Sequence, residues 1–162
     1  MNTKKKNAFD ETFMRRAIRI SIGNINQNGG PFGAVIVKDG QIVAESGNRV
    51  TENLDPTAHA EIMAIRQACE KLKTFDLSGC EIYSSCEPCP MCLSAIYWAR
   101  LDALYFANTK EDAKRIDFDD SFIYEQIPLS IEKRSIPTSQ HLHEEALEAF
   151  RIWEAKTDKV CY

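Results

Sequence analysis

Two short segments constrain this chain more than any other feature: His59-Ala60-Glu61 and Pro88-Cys89-Pro90-Met91-Cys92. Each stands where a helix begins, and each follows a strand. Pro90 suits a first helical position, where its fixed φ is already helical and its missing N–H is not needed. Cys89 and Cys92 are three apart, so both sulfurs fall on one helical face. His59 and Glu61 are two apart, about 200° around a regular helix. They address a common point only if it lies beyond the helix end, near its axis. Asp55-Pro56 reads as the cap and first residue of that helix, and a site just after it fits the demand. Any fold for this chain must therefore bring two helix starts together. One histidine and two cysteines form a zinc ligand set, and three protein ligands leave a fourth position open for water. Helix N-termini add positive potential, which lowers thiol pKa.

The surrounding pattern supplies a scaffold. Phe13, Ala17, Ile20 and Asn24/Ile25 recur at helical spacing, which predicts an amphipathic helix over residues 10–26 behind an Asp10 cap. Asn28-Gly29-Gly30-Pro31-Phe32-Gly33 ends it. Ala34 to Val37 and Gln41 to Ala44 flank Lys38-Asp39-Gly40, a hairpin signal. A loop rich in Asn, Asp and Thr runs from Asn48 to Thr57. Ile62, Ile65, Cys69 and Leu72 form the apolar stripe of the next helix. A strand from Cys80, a helix over Pro90 to Ala99 and a buried strand over Ala103 to Ala107 follow. Hairpin, then alternating helix and strand, implies a three-layer α/β/α domain around a mixed sheet. Past Asn108 the signals thin: a turn at Asp117 to Phe122 enters a short helix, and Leu142 to Trp153 make a final one. Trp98 and Trp153 read as core residues.

Composition narrows the function classes. The 162 residues read as one domain, and no apolar run approaches the ~18 residues needed to cross a bilayer. The lysines at positions 4 to 6 have no apolar stretch behind them, so the expectation is a cytoplasmic protein without a secretory signal. Six cysteines then read as metal ligands or free thiols before disulfides. The net charge of −4, with no dense basic block after Lys6, disfavours a nucleic-acid partner.

His-x-Glu followed by Pro-Cys-x-x-Cys is the signature of the zinc deaminases. From about Phe13 to Ala107 the chain resembles the cytidine deaminase-like superfamily. More narrowly it resembles the bacterial guanine deaminases, through Asn28 to Ala34, Asp55 to Glu61, Ser85 to Cys92, Phe118-Asp119-Asp120-Ser121-Phe122 and the terminal Tyr162. The resemblance implies a central five-stranded mixed sheet, one zinc on His59, Cys89 and Cys92, and Glu61 as proton carrier rather than ligand. It implies conversion of guanine to xanthine and ammonia in purine breakdown or salvage. Asn48, Ala60, Asp120, Phe32 and Tyr162 become the substrate contacts. It further implies a homodimer in which residues 130–162, an extension of a single deaminase domain spanning 1–162, swap between subunits.

Other readings stand beside these. Cys86 is a fourth ligand that would close the zinc site, or a packing thiol next to it. Asn48 faces a base, or serves the turn in which it stands. Phe32 is a pocket wall or packs under the glycine loop, and one of Asp119 and Asp120 caps a helix. The zinc motif is shared with tRNA adenosine deaminases and with enzymes acting on guanosine or cytosine. From another class, the same ligands serve a structural zinc module.

Overall fold

The computed structural model describes residues 8–161. Its first helix, α1 (Glu11–Ile25), starts as expected: Asp10 is extended and its carboxylate accepts the Thr12 N–H. The hairpin forms from β1 (Gly33–Lys38) and β2 (Gln41–Gly47), paired antiparallel. Asp39 and Gly40 at its turn have φ of 51° and 73°, the left-handed pair whose twist matches that of the strands. One turn of helix, α2 (Val50–Asn53), lies in the loop that follows.

The next helix, α3 (Ala60–Leu72), begins later than Asp55-Pro56 suggests. Asp55 Oδ1 accepts from both the backbone N–H and the hydroxyl of Thr57. That local turn satisfies the backbone in place of a helix start, and the helix waits until Ala60. Its buried stripe also differs. Ala60, Ala64 and Ala68 are fully buried, with Ile65, Cys69 and Leu72 packed partly buried beside them. Alanines four apart share one face and let the helix lie close to the sheet.

There follow β3 (Cys80–Cys86), buried along its whole length, α4 (Pro90–Trp98), β4 (Ala103–Asn108) and α5 (Lys110–Lys114). The strand order is β2-β1-β3-β4, with β1 antiparallel to β3 and β3 parallel to β4. Among the described residues the sheet thus has four strands, not the five expected. Thr109 and Asp112 form a capping box directly after β4, so the chain turns into α5 where another strand signal would be needed. As an outer strand, β4 is half-buried to exposed rather than buried.

Alternation along β1 and β3 divides the side chains between two layers. Val35, Val37 and Tyr83 pack with Met14 and Ala17 of α1. Ala34, Ile36 and Ile82 pack on the opposite face with the α3 alanines, Ile96 and Ala99. Arg16 of α1 also pairs with Glu45 of β2 through both guanidinium arms, which holds that carboxyl below the usual carboxylate range.

These elements belong to one compact unit, which extends through Asp120; a second begins at Ser121. The second holds α6 (Ser121–Gln126), a 3-10 turn (Ile131–Lys133) and α7 (His143–Ala155). None of its described residues is buried. Trp98 and Trp153, expected in the core, are 67% and 43% exposed; α4 buries Pro90, Cys92 and Ile96 instead of Trp98. No helix of the described residues is long and apolar enough to cross a membrane.

The backbone of α1 lies close to the sheet at Gly33, where a Cβ would stand 2.5 Å from the Ala17 carbonyl oxygen and 2.8 Å from Ser21 N. Both are backbone atoms and cannot step aside. Gly33→Ala is expected to destabilise the protein by about 1–3 kcal/mol, the usual range for overpacking, read as a lower urea midpoint with an unchanged m-value.

Candidate active site

Both helix starts forgo a side-chain cap. His59 and Cys89 are the N-cap residues of α3 and α4, each extended (φ −64°, ψ 156° and φ −63°, ψ 167°), and neither brings the side-chain oxygen of an ordinary cap. They turn towards each other instead. Nδ1 of His59 lies 3.6 Å from Cys89 Sγ and 3.4 Å from Cys92 Sγ, and the three donor atoms lie within 4.8 Å of one another. Zinc–sulfur and zinc–nitrogen bonds of about 2.3 and 2.1 Å at a tetrahedral angle separate S from N by about 3.6 Å. The residues fit zinc. The N-cap position also resolves the spacing problem of His59 and Glu61, since the histidine stands outside the helical turn that carries the glutamate.

Charge at the site follows from burial and from the thiol pair. Hydrogen bonds from Cys92 and His59 push the half-buried Cys89 thiol down to about 4, so it holds negative charge at two helix N-termini. The fully buried Cys92 donates to that thiolate and is driven up. Glu61 is 6% exposed. Its Oε1 accepts from Ser84 Oγ at 3.0 Å, and its Oε2 lies 3.5 Å from the Cys92 sulfur. Burial raises its pKa despite the Ser84 bond, which suits a group that must hold a proton.

Cys86 is not in the triad. Its sulfur donates to Thr109 O at 3.5 Å, and burial pushes its thiol up to about 11, so it lies beside the site as a neutral thiol. Ala60 has its methyl in the core, and only its backbone N–H, one of the first-turn groups without an intrahelical partner, remains for a ligand. Asn48 is buried and does serve the turn, since its Oδ1 accepts from Val50 N; its Nδ2 remains as a donor. Phe32 meets Phe118 edge-on, with ring centroids 4.9 Å apart. Asp119 pairs with Lys114 at 3.1 Å. Asp120 instead is raised by burial and by the negative charge of Cys89. Tyr162 lies outside the described residues.

Three residues were not anticipated from the sequence. Ser84, which holds Glu61, and Ser85, whose Oγ accepts from Gly33 N at 3.0 Å, are both buried. Two serines at the end of an otherwise apolar buried strand are a usable signal, because a buried hydroxyl needs a partner. The third is Asn24, on the buried face of α1.

Comparison with known proteins places this geometry. Residues 7–108 match the family model for the cytidine and deoxycytidylate deaminase zinc-binding region. The chain is 51% identical over 153 residues to guanine deaminase of Bacillus subtilis (strain 168), covering 94% of this chain and 98% of that one. The crystal structure of the B. subtilis guanine deaminase superposes with a TM-score of 0.92 at 50% identity, over 96% of this chain and 99% of that one. A guanine deaminase from Nitrosomonas europaea matches with a TM-score of 0.67 at 36% identity, over 70% of this chain and 66% of that one. A tRNA-specific adenosine deaminase from Aquifex aeolicus is 42% identical over 60% of this chain and 64% of its own length.

The two roles assigned to neighbouring thiols separate in one experiment. Cys89→Ala is expected to lower bound zinc well below one equivalent per chain, whereas Cys86→Ser keeps the parental content, both measured by elemental analysis after dialysis.

Proposed function

The chain belongs to the cytidine and deoxycytidylate deaminase zinc-binding family, and from that premise we propose that it hydrolyses guanine to xanthine and ammonia. The observation that carries this reading is the reach of the likeness. The family model ends at residue 108, but the match to B. subtilis guanine deaminase spans 94% of the chain and so includes the stretch with Asp120. The tRNA-specific relative matches over 60%. A net charge of −4 offers no general attraction to RNA phosphates either.

When bound by His59, Cys89 and Cys92, zinc supplies Lewis-acid activation of a water at neutral pH. Glu61 takes a proton from the attacking water and passes it to the ring nitrogen beside C2, then carries the remaining proton of the new C2 hydroxyl to the departing amine. The C2–oxygen bond forms first, the C2–amine bond breaks afterwards as C2 regains its double bond to oxygen, and one water is consumed for each ammonia released. Ser84 fixes one oxygen of Glu61 and leaves the other for this transfer. The Asn48 Nδ2 donates to the O6/N7 edge of the base, and Asp120, an acceptor when ionised, takes N1–H and the 2-amino group. The edge of Phe32 and the Ala60 N–H complete the near side. In this reading residues 130–162 exchange within a cytoplasmic homodimer, and Tyr162 closes the partner's site as a lid. Phe150, Ile152 and Trp153 of α7, all exposed within one chain, support a segment that finds its cover elsewhere.

Ammonia release is expected from guanine in preference to guanosine, adenine, adenosine, cytosine, cytidine and an adenosine-containing anticodon loop. Faster turnover of the RNA loop would overturn the substrate. Glu61→Gln is expected to keep its zinc and lose about 10²–10⁴-fold in kcat, the usual worth of general acid–base catalysis. Deleting residues 157–162 is expected to depress guanine turnover without lowering zinc content. Light scattering on the parent will read a dimer; an active monomer removes the exchange.

A further inference from the structure

Both residues that meet the near face of the base, Phe32 and Asn48, stand on irregular backbone. Phe32 comes shortly after the turn at residues 26–28 and the two glycines beyond it, and Asn48 follows the last residue of β2. Irregular segments need their polar groups satisfied by something other than a ladder. Here the two segments converge on the carboxamide of Asn24, in the last turn of α1. Its Nδ2 donates to Gly30 O at 2.8 Å and to Asn48 O at 2.9 Å. The same Gly30 carbonyl also accepts from Phe32 N at 2.8 Å, and Phe32 O accepts from Asn48 N at 3.1 Å. Asn24, Gly30, Phe32 and Asn48 are thereby closed into one ring of hydrogen bonds. Asn24 is 3% exposed, and both carbonyls that its side chain holds lie outside the His59, Glu61, Cys89 and Cys92 cluster.

The fit around this carboxamide is close on both sides. A Cβ at Gly29 would stand 2.2 Å from Nδ2, and one at Gly47 would stand 2.3 Å from Oδ1. The two glycines leave space for a carboxamide and for nothing longer. A carboxylate of the same shape would turn an acceptor towards two carbonyl oxygens, and alanine would leave both carbonyls without their buried donor.

We propose that Asn24 is a positioning residue for substrate recognition: it sets Asn48 and Phe32 at the spacing that admits a purine base, and it does so apart from the zinc and proton-transfer machinery. This rests on the reading of guanine as substrate. Binding and chemistry then separate on mutation, because uniform binding of the base is lost while the transition-state groups stay in place.

The experiment compares KM and kcat, per zinc-loaded site, in the parent, Asn24→Asp, Gly47→Ala and Gly23→Ala. Gly23 adjoins Asn24 in α1, yet a Cβ there meets nothing within 4 Å, so Gly23→Ala reports any general effect of altering the helix end. Expected are KM values for guanine raised about tenfold or more in Asn24→Asp and Gly47→Ala, the size of one lost oriented hydrogen bond. Zinc content and kcat stay within a few fold, and Gly23→Ala keeps the parental KM. If Asn24→Asp does not fold, Gly47→Ala alone decides. A parental KM in the folded variants, with only lower melting temperature or lower kcat, overturns the assignment, as does an equal KM rise in Gly23→Ala. No guanine turnover by the parent overturns the substrate reading instead. The same comparison then runs on whichever base the parent deaminates, and an unchanged KM there overturns the role of Asn24.

Discussion

Two helix N-termini aimed at one point repel each other, and the site exists because negative charge and donor atoms occupy that point. The first turns of α3 and α4 each present N–H groups without intrahelical partners. In most helices a serine, threonine or aspartate at the N-cap would answer them. Here His59 and Cys89 stand in those positions without a capping oxygen. The Cys89 thiolate provides the compensating charge. The local stability of two helices has been exchanged for a site whose ligands are fixed by backbone rather than by flexible side chains.

The sheet decides where that exchange takes place. β3 is buried from end to end, and its alternation sends successive residues to different tasks. Tyr83 joins the aromatic cluster of Phe9, Phe13 and Tyr105 on the α1 side. Ser84 reaches the other way to Glu61, and Ser85 returns to receive Gly33 N. Cys86 ends the strand and ties the approach to Cys89 onto the start of α5 through Thr109. A slip of one residue between β1 and β3 would exchange the faces and withdraw Ser84 from the glutamate.

The His59, Cys89 and Cys92 cluster, the hairpin and the alternation of α3, β3, α4 and β4 were legible because each rests on a short-range rule: ligand spacing, a two-residue turn, an apolar period. The errors arose where two local rules compete. Asp55-Pro56 has the composition of a helix start, but Thr57 supplies a closer partner for the aspartate. The stripe of α3 was centred on its large residues, although the contact distance to the sheet favours the alanines. The buried reading of β4 rested on its apolar run, which does not reveal how many neighbours a strand has. Asn24 was visible as a member of the α1 stripe. Its function was not, since a carboxamide on an apolar face discloses nothing about the two carbonyls that it meets from elsewhere in the chain.

The pairing of Lys38 with Cys80 in the β1–β3 ladder also orders the events of folding. The β1–β2 hairpin closes over a two-residue turn and can form early, from local contacts. The β1–β3 ladder must close a loop that contains the hairpin's second strand, α2 and all of α3, and such non-local closures are slow. Cys89 and Cys92 are neighbours from the moment α4 forms, whereas His59 joins them only after that loop has closed. The nascent chain therefore carries a two-thiol chelate before it carries an active centre. Its exposure to oxidation and to the wrong metal is set by how quickly the antiparallel β1–β3 ladder can assemble.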